Sequence, residues 1–153
     1  MPRTSAGDAR TRRYAGVLAT LTALFALRVA GQALQRWSPV DALPPFGAFQ
    51  GSSIAYWLLL SIQIVMLVWM SAISIQVARG RQRRNPRAAR VLAWIGGIYM
   101  AGSLGRIAVG LTVAEAPAWF TAWISAIFHV ILAAFVLTLA ACHATRPGRE
   151  RQA

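Results

Sequence analysis

Five side chains capable of chemistry interrupt otherwise apolar runs: Arg28, Gln32, Gln63, Arg106 and His129. Arg28, Gln32 and Gln35 recur at i, i+4 and i+7, which puts them on one face of a helix. Gly102, Arg106 and Gly110 form a second such stripe, and Ser125 precedes His129 by about one turn. An arginine in the middle of a membrane costs a few kcal/mol on insertion scales, so it tends to face protein, water or a bound anion. The acids nearest in sequence, Asp41 and Glu115, lie outside the apolar runs. The chemistry this suggests is a cationic ligand site for an anionic head group, a small anion or the carbonyls of a quinone-like molecule. The alternative is that each arginine snorkels outward or bonds to helix carbonyls and glutamine neighbours.

His129 has the chemistry of a haem ligand, a proton carrier or a hydrogen-bond partner. Bis-histidine haem needs a second ligand, and His143 lies about 21 Å further along the same helix, so only a second copy or another protein would supply it. No cofactor is expected; haem or a quinone are the alternatives. Met66 and Met70 lie one turn apart, a spacing that reads as packing rather than as a metal site. The single cysteine, Cys142, allows no intrachain disulfide. GxGxxG, Walker A, HExxH and GxSxG motifs are absent, as are paired carboxylates within an apolar run. No catalytic residue is assigned.

Four apolar runs must position these side chains: about residues 14–35, 54–77, 91–113 and 117–142. Each reaches the roughly 20 residues that a helix needs to cross a hydrocarbon core of roughly 30 Å. Lipid demands internal pairing of every backbone polar group, and four segments are too few for a barrel, so the runs are read as helices. Counted from the run ends at about 1.5 Å per residue, the two arginines, Gln63 and His129 fall in one slab, from mid-membrane to one surface. The fold class expected is all-α, an integral membrane four-helix bundle over residues 14–143. A basic segment, 1–13, precedes it and a basic tail, 144–153, follows.

Charge sets the direction. The chain has 153 residues, 57% hydrophobic, with 16 basic residues against 4 acidic and a net charge of +12. Every basic residue is arginine, which reads as a compositional bias of the source. Thirteen of the 16 flank the runs on one side: Arg3, Arg10, Arg12 and Arg13; Arg79, Arg81, Arg83, Arg84, Arg87 and Arg90; Arg146, Arg149 and Arg151. The positive-inside rule then places both termini and the 79–90 loop in the cytoplasm, with Trp37, Trp119 and Phe120 at the opposite interface. Pro44, Pro45 and Gly47 make the 38–53 segment a compact, non-helical loop. Arg12-Arg13 followed by an apolar stretch, with Gly31-Gln32-Ala33 beyond, has the layout of a signal peptide. Apolar character continues past Arg28 to Leu34, so an uncleaved first span is expected. The arginine clusters would attract anionic lipids at the cytoplasmic face. Nucleic-acid binding is disfavoured, because the 79–90 loop is short and lacks an aromatic stacking platform.

The halves echo each other. Leu27-Arg28-Val29-Ala30-Gly31 matches Gly105-Arg106-Ile107-Ala108-Val109-Gly110. Trp57 precedes Gln63 by the interval that separates Trp123 from His129. Two duplicated hairpins of like orientation would be related by an axis along the membrane normal. Ala93, Gly97, Ala101 and Gly105, at four-residue spacing, form a small-residue stripe for close helix packing, within the chain or between copies.

Leu27-Arg28-Val29-Ala30-Gly31-Gln32, then Leu43-Pro44-Pro45 and Tyr56-Trp57, resemble a group of small bacterial membrane proteins with an Arg-Val-x-Gly-Gln pattern in the first span. The likeness covers the first half of the chain. It implies a bacterial inner-membrane location and no particular activity. The function expected is a non-enzymatic accessory subunit or small-ligand or lipid binder, working with partners or as a homo-oligomer. The alternatives are a small anion transporter or channel, and a redox or lipid-modifying enzyme using His129.

Overall fold

A computed structural model of the chain describes residues 6–50, 54–113 and 123–145. The described residues form five helices and no strand: α1 Ala6–Trp37, α2 Phe46–Gln50, α3 Tyr56–Ala78, α4 Pro86–Thr112 and α5 Trp123–Ala144. Four segments are long and apolar enough to cross a membrane: Ala9–Trp37, Tyr56–Ala78, Pro86–Thr112 and Ile124–Ala144. Arg3, Glu115, Pro117, Trp119, Phe120, Arg146, Arg149 and Arg151, with the expected start of the fourth run, lie outside the described residues.

Local chemistry sets the boundaries. Helix α1 begins well before residue 14, carrying Arg10, Arg12 and Arg13 on helical backbone beyond the apolar run. Helix α4 starts five residues earlier than its apolar run, because Asn85 caps it. The Asn85 side-chain oxygen accepts from the backbone N–H groups of Arg87 at 3.2 Å and Ala88 at 3.1 Å, and Pro86 occupies a first-turn position that needs no donor. At the end of α3, Gly80 takes φ +66°, Gly80 N–H donates to the Val77 carbonyl at 3.0 Å and Arg81 N–H to the Gln76 carbonyl at 3.0 Å. This is the left-handed turn that closes a helix by pairing its last carbonyls, and glycine adopts it without a Cβ clash. The 38–53 segment is not wholly loop: after Pro44 and Pro45 the chain turns into α2, with Ala48 N–H donating to the Pro45 carbonyl at 2.9 Å. Proline's fixed φ suits the first turn of a helix, so the residues read as breakers start one here.

Helix α1 packs against α3 and α5, and α4 packs against α5. Helices α3 and α4 are consecutive and closely connected, yet they make no comparable contact. Exact two-fold duplication of the hairpins would pair α3 with α4 as α1 pairs with α5. The helices therefore follow the duplicated pattern within each hairpin and depart from it between hairpins.

Leu18, Met70, Val77 and Phe135 are fully buried and join α1, α3 and α5 in one apolar core. In lipid such packing stabilises through dispersion and close fit, because leaving lipid gains no hydrophobic free energy. Within it, Thr22 and Ser74 lie 3.2 Å apart across α1 and α3, and each hydroxyl also returns to a carbonyl one turn back. The connector between α3 and α4 is tied to the end of α5. His143 Nδ1 donates to the Arg83 carbonyl at 3.2 Å, its Nε2 accepts from Gln82 at 2.6 Å, and Asn85 N–H donates to the His143 carbonyl at 3.2 Å.

The small-residue stripe does not make the close helix contact within the chain. Gly97 and Gly105 have nothing within 4 Å of where a Cβ would stand, and Ala93 and Ala101 are exposed. Gly96, one position away, makes the close approach: a Cβ there would meet Leu137 Cγ at 2.9 Å. The stripe's four-residue spacing describes a face of α4, but α5 sits over its neighbour.

Candidate ligand-binding site

Counted from the helix ends nearest Trp37, Arg28, Gln63, Arg106 and His129 lie about 9 to 14 Å deep. They belong to four different helices, and all four line one cavity of about 270 Å³. Ser125 and Tyr99 complete its polar wall, while Phe25, Met66, Phe128 and Leu132 supply apolar surface. The cavity has walls from α3 and α4, the pair of long neighbours that does not pack together. Towards the 79–90 loop the fully buried core fills the space between α1, α3 and α5.

Arg28 is only 7% exposed, so it does not snorkel to a surface. Its guanidinium donates to Gln32 Oε1 at 2.5 Å and to the Phe49 carbonyl at 2.6 Å, and it stands over the Phe128 ring at 5.0 Å. These partners are neutral, and Arg28 Nε is buried with no partner. Helix α2 is what brings the Phe49 carbonyl down: the Phe49 ring is buried, 3.7 Å from where a Cβ on Gly31 would stand. Gln35 holds the same loop, donating to the Leu43 and Pro44 carbonyls at 3.1 and 2.8 Å and accepting from Val40 N–H at 2.6 Å. The i, i+4, i+7 face of α1 is thus divided between the site and the loop that covers it.

Gln32 does not line the cavity but supports it from behind. Its Oε1 is committed to Arg28, so Gln63 must present its Nε2 to the same oxygen, at 3.2 Å. That fixes the Gln63 amide and leaves its Oε1 buried without a partner. Gln32 Nε2 is left in the same condition.

His129 Nδ1 lies 2.6 Å from the Ser125 carbonyl. A carbonyl oxygen only accepts, so Nδ1 carries the proton, and in the neutral ring Nε2 is an acceptor. The imidazole packs edge-on to Tyr99, centroids 5.7 Å apart. Arg106 is 6% exposed and reaches the same cavity from α4. His143 is engaged at the opposite end of α5, so one chain does not bring two histidines together for haem. Among the described residues no group of three His, Cys, Asp or Glu side chains forms a metal cluster.

Sequence reading singled out Arg28, Gln32, Gln63, Arg106 and His129, and the fold brings them together. It missed Tyr99, which reads as an ordinary aromatic in an apolar helix; its seven-residue spacing to Arg106 was the available signal. It also missed Phe49, which acts through a backbone carbonyl that side-chain type does not report. A second hollow of about 620 Å³ runs along α4 and shares Tyr99, Arg106 and His129 with the first. At the Trp37 end, Trp37, Phe46, Tyr56 and Trp57 form an aromatic cluster with centroids 5.4 to 6.1 Å apart, the amphipathic ring chemistry of a membrane interface.

The chain matches no protein-family model, no curated protein and no solved structure.

Proposed function

We propose that this chain is a multi-pass membrane protein that binds an anionic small ligand or lipid head group without transforming it, alone or as part of a larger assembly. One observation carries the reading: Arg28 and Arg106, from different helices, line the same cavity, and the partners of Arg28 are all neutral. A guanidinium held among dipoles and one ring is stabilised further by an anion that reaches it. Gln63, Tyr99 and His129 add neutral hydrogen-bonding groups on the same wall. The arginine clusters support a four-helix bundle with both termini in the cytoplasm of a bacterial inner membrane, which opens the site toward the outer side. The filled core beneath the cavity favours a binding site over an anion path through the chain.

Native mass spectrometry of the protein released from membrane discs tests this. A discrete added mass that disappears in Arg28→Gln/Arg106→Gln, at unchanged helical content by circular dichroism, is expected. A bare chain or bare oligomer in the unsubstituted protein would overturn the reading.

A further inference from the structure

The groups left over in the site define a ligand more narrowly than its charge does. Arg28 Nε is a donor without a partner. Gln63 Oε1 is an acceptor without a partner, on a residue 6% exposed that lines the cavity, and its orientation is forced through Gln32 by Arg28. In the neutral ring His129 Nε2 is a second acceptor, because Nδ1 carries the proton that goes to the Ser125 carbonyl. A bare anion such as a halide or sulfate answers only the donors. A quinone carbonyl also answers only donors. Satisfying both sets takes a head group with anionic oxygens and at least one hydroxyl, since a buried acceptor left unpaired keeps its full desolvation cost.

The space is divided in the same way. The cavity of about 270 Å³ holds a head group, and the hollow of about 620 Å³ leads away from it along α4. The hollow starts at Arg106 and passes Ser103, Gly102 and Tyr99 to Ile98 and Ile95, a run of about 16 Å along the helix. Exposed Ile95 and Ile98 make its far end apolar, and Gly102 leaves open space, with nothing within 4 Å of a Cβ position. A polar, cationic end joined to an apolar channel that runs through the membrane midplane is the complement of a lipid, head group first and one acyl chain trailing.

We infer that the site takes an anionic lipid with a hydroxyl-bearing head group, its phosphate oxygens on the two arginines, its hydroxyl on Gln63 Oε1 and His129 Nε2, and one acyl chain along α4 at Gly102. This rests on the reading of the cavity as an anionic-ligand site, and it specifies the ligand.

The full chain is placed in discs of phosphatidylcholine doped with equal phosphatidylglycerol and phosphatidylmethanol, an anionic phosphodiester without a hydroxyl, and bound lipid is counted by native mass spectrometry. Retention of phosphatidylglycerol about tenfold above phosphatidylmethanol is expected, the ratio that one satisfied buried acceptor supplies. Gln63→Leu is expected to abolish that preference while anionic lipid stays bound. Gly102→Leu, which projects into open space, is expected to weaken retention of either lipid. Soluble glycerol phosphate and inorganic phosphate are expected not to compete at lipid-equivalent concentration. Equal retention of the two anionic lipids overturns the hydroxyl assignment and leaves the cationic site standing. Effective competition by glycerol phosphate or phosphate, or a silent Gly102→Leu, overturns the acyl channel. Retention of phosphatidylcholine in place of either anionic lipid overturns both this inference and the function it rests on.

Discussion

Gln63 on α3 donates through Nε2 to the same Gln32 oxygen that accepts from Arg28, so one amide oxygen on α1 ties two helices and a buried guanidinium together. The two glutamines are therefore unequal. Gln63→Leu removes one neutral bond and should cost about 1 kcal/mol. Gln32→Leu strands both Gln63 Nε2 and an Arg28 N–H and should cost about 2–3 kcal/mol. Unfolding in mixed micelles, followed by tryptophan fluorescence, gives the order; an equal or reversed cost would show that Gln32 is not the shared acceptor.

Arg28→Lys keeps the charge and loses the fork. One ammonium on a flexible stem does not reproduce the planar guanidinium that bonds Gln32 and the Phe49 carbonyl while facing the Phe128 ring. We expect the variant to fold and to retain anionic ligand about tenfold less well than the unsubstituted chain. Full retention in native mass spectra would mean that charge alone makes the site.

Gly96→Ala and Gly97→Ala should differ sharply although they are neighbours. A methyl on Gly96 stands 2.9 Å from Leu137 Cγ and 3.2 Å from Val136 Cγ1, so α4 and α5 must shift, at about 1–3 kcal/mol. A methyl on Gly97 meets nothing within 4 Å, and its effect on the thermal midpoint in discs should be nil or slightly stabilising. Equal loss in both would place a second chain against the outward stripe.

Orientation is open to thiol labelling in a Cys142→Ala background. Ser38 and Arg84 are both exposed, at opposite ends of the helices. In intact cells a membrane-impermeant maleimide should label Ser38→Cys and reach Arg84→Cys only after permeabilisation. The opposite pattern would invert the topology.

Much of the site was legible in the sequence because an arginine in an apolar run has few ways to be tolerated. Arg28, Gln63, Arg106 and His129 share a depth that follows from counting residues, and depth alone predicted that they could meet. Which face of each helix turns inward was less legible. Residues 93, 97, 101 and 105 are small at helical spacing, yet α5 covers Gly96, because the choice between adjacent faces depends on Leu137 across the contact. The Phe49 carbonyl was illegible for another reason: backbone groups look alike in every sequence, and only the turn after Pro45 aims this one at Arg28. Tyr99 was hidden by its ambiguity, since a tyrosine serves equally as packing or as a hydroxyl.

Helix α4 packs extensively on α5 alone, and α5 also carries the contact between the hairpins. During synthesis, α1 and α3 can pair as soon as both are inserted. Helix α4 would emerge next without its main packing partner, so Arg106 would wait until the ribosome has made α5. The last helix to arrive thus acts as the keystone: His129, the Tyr99 contact and the closed wall of the cavity all come into being in one late step, and a chain stalled before it would hold half a site and an unaccompanied arginine helix.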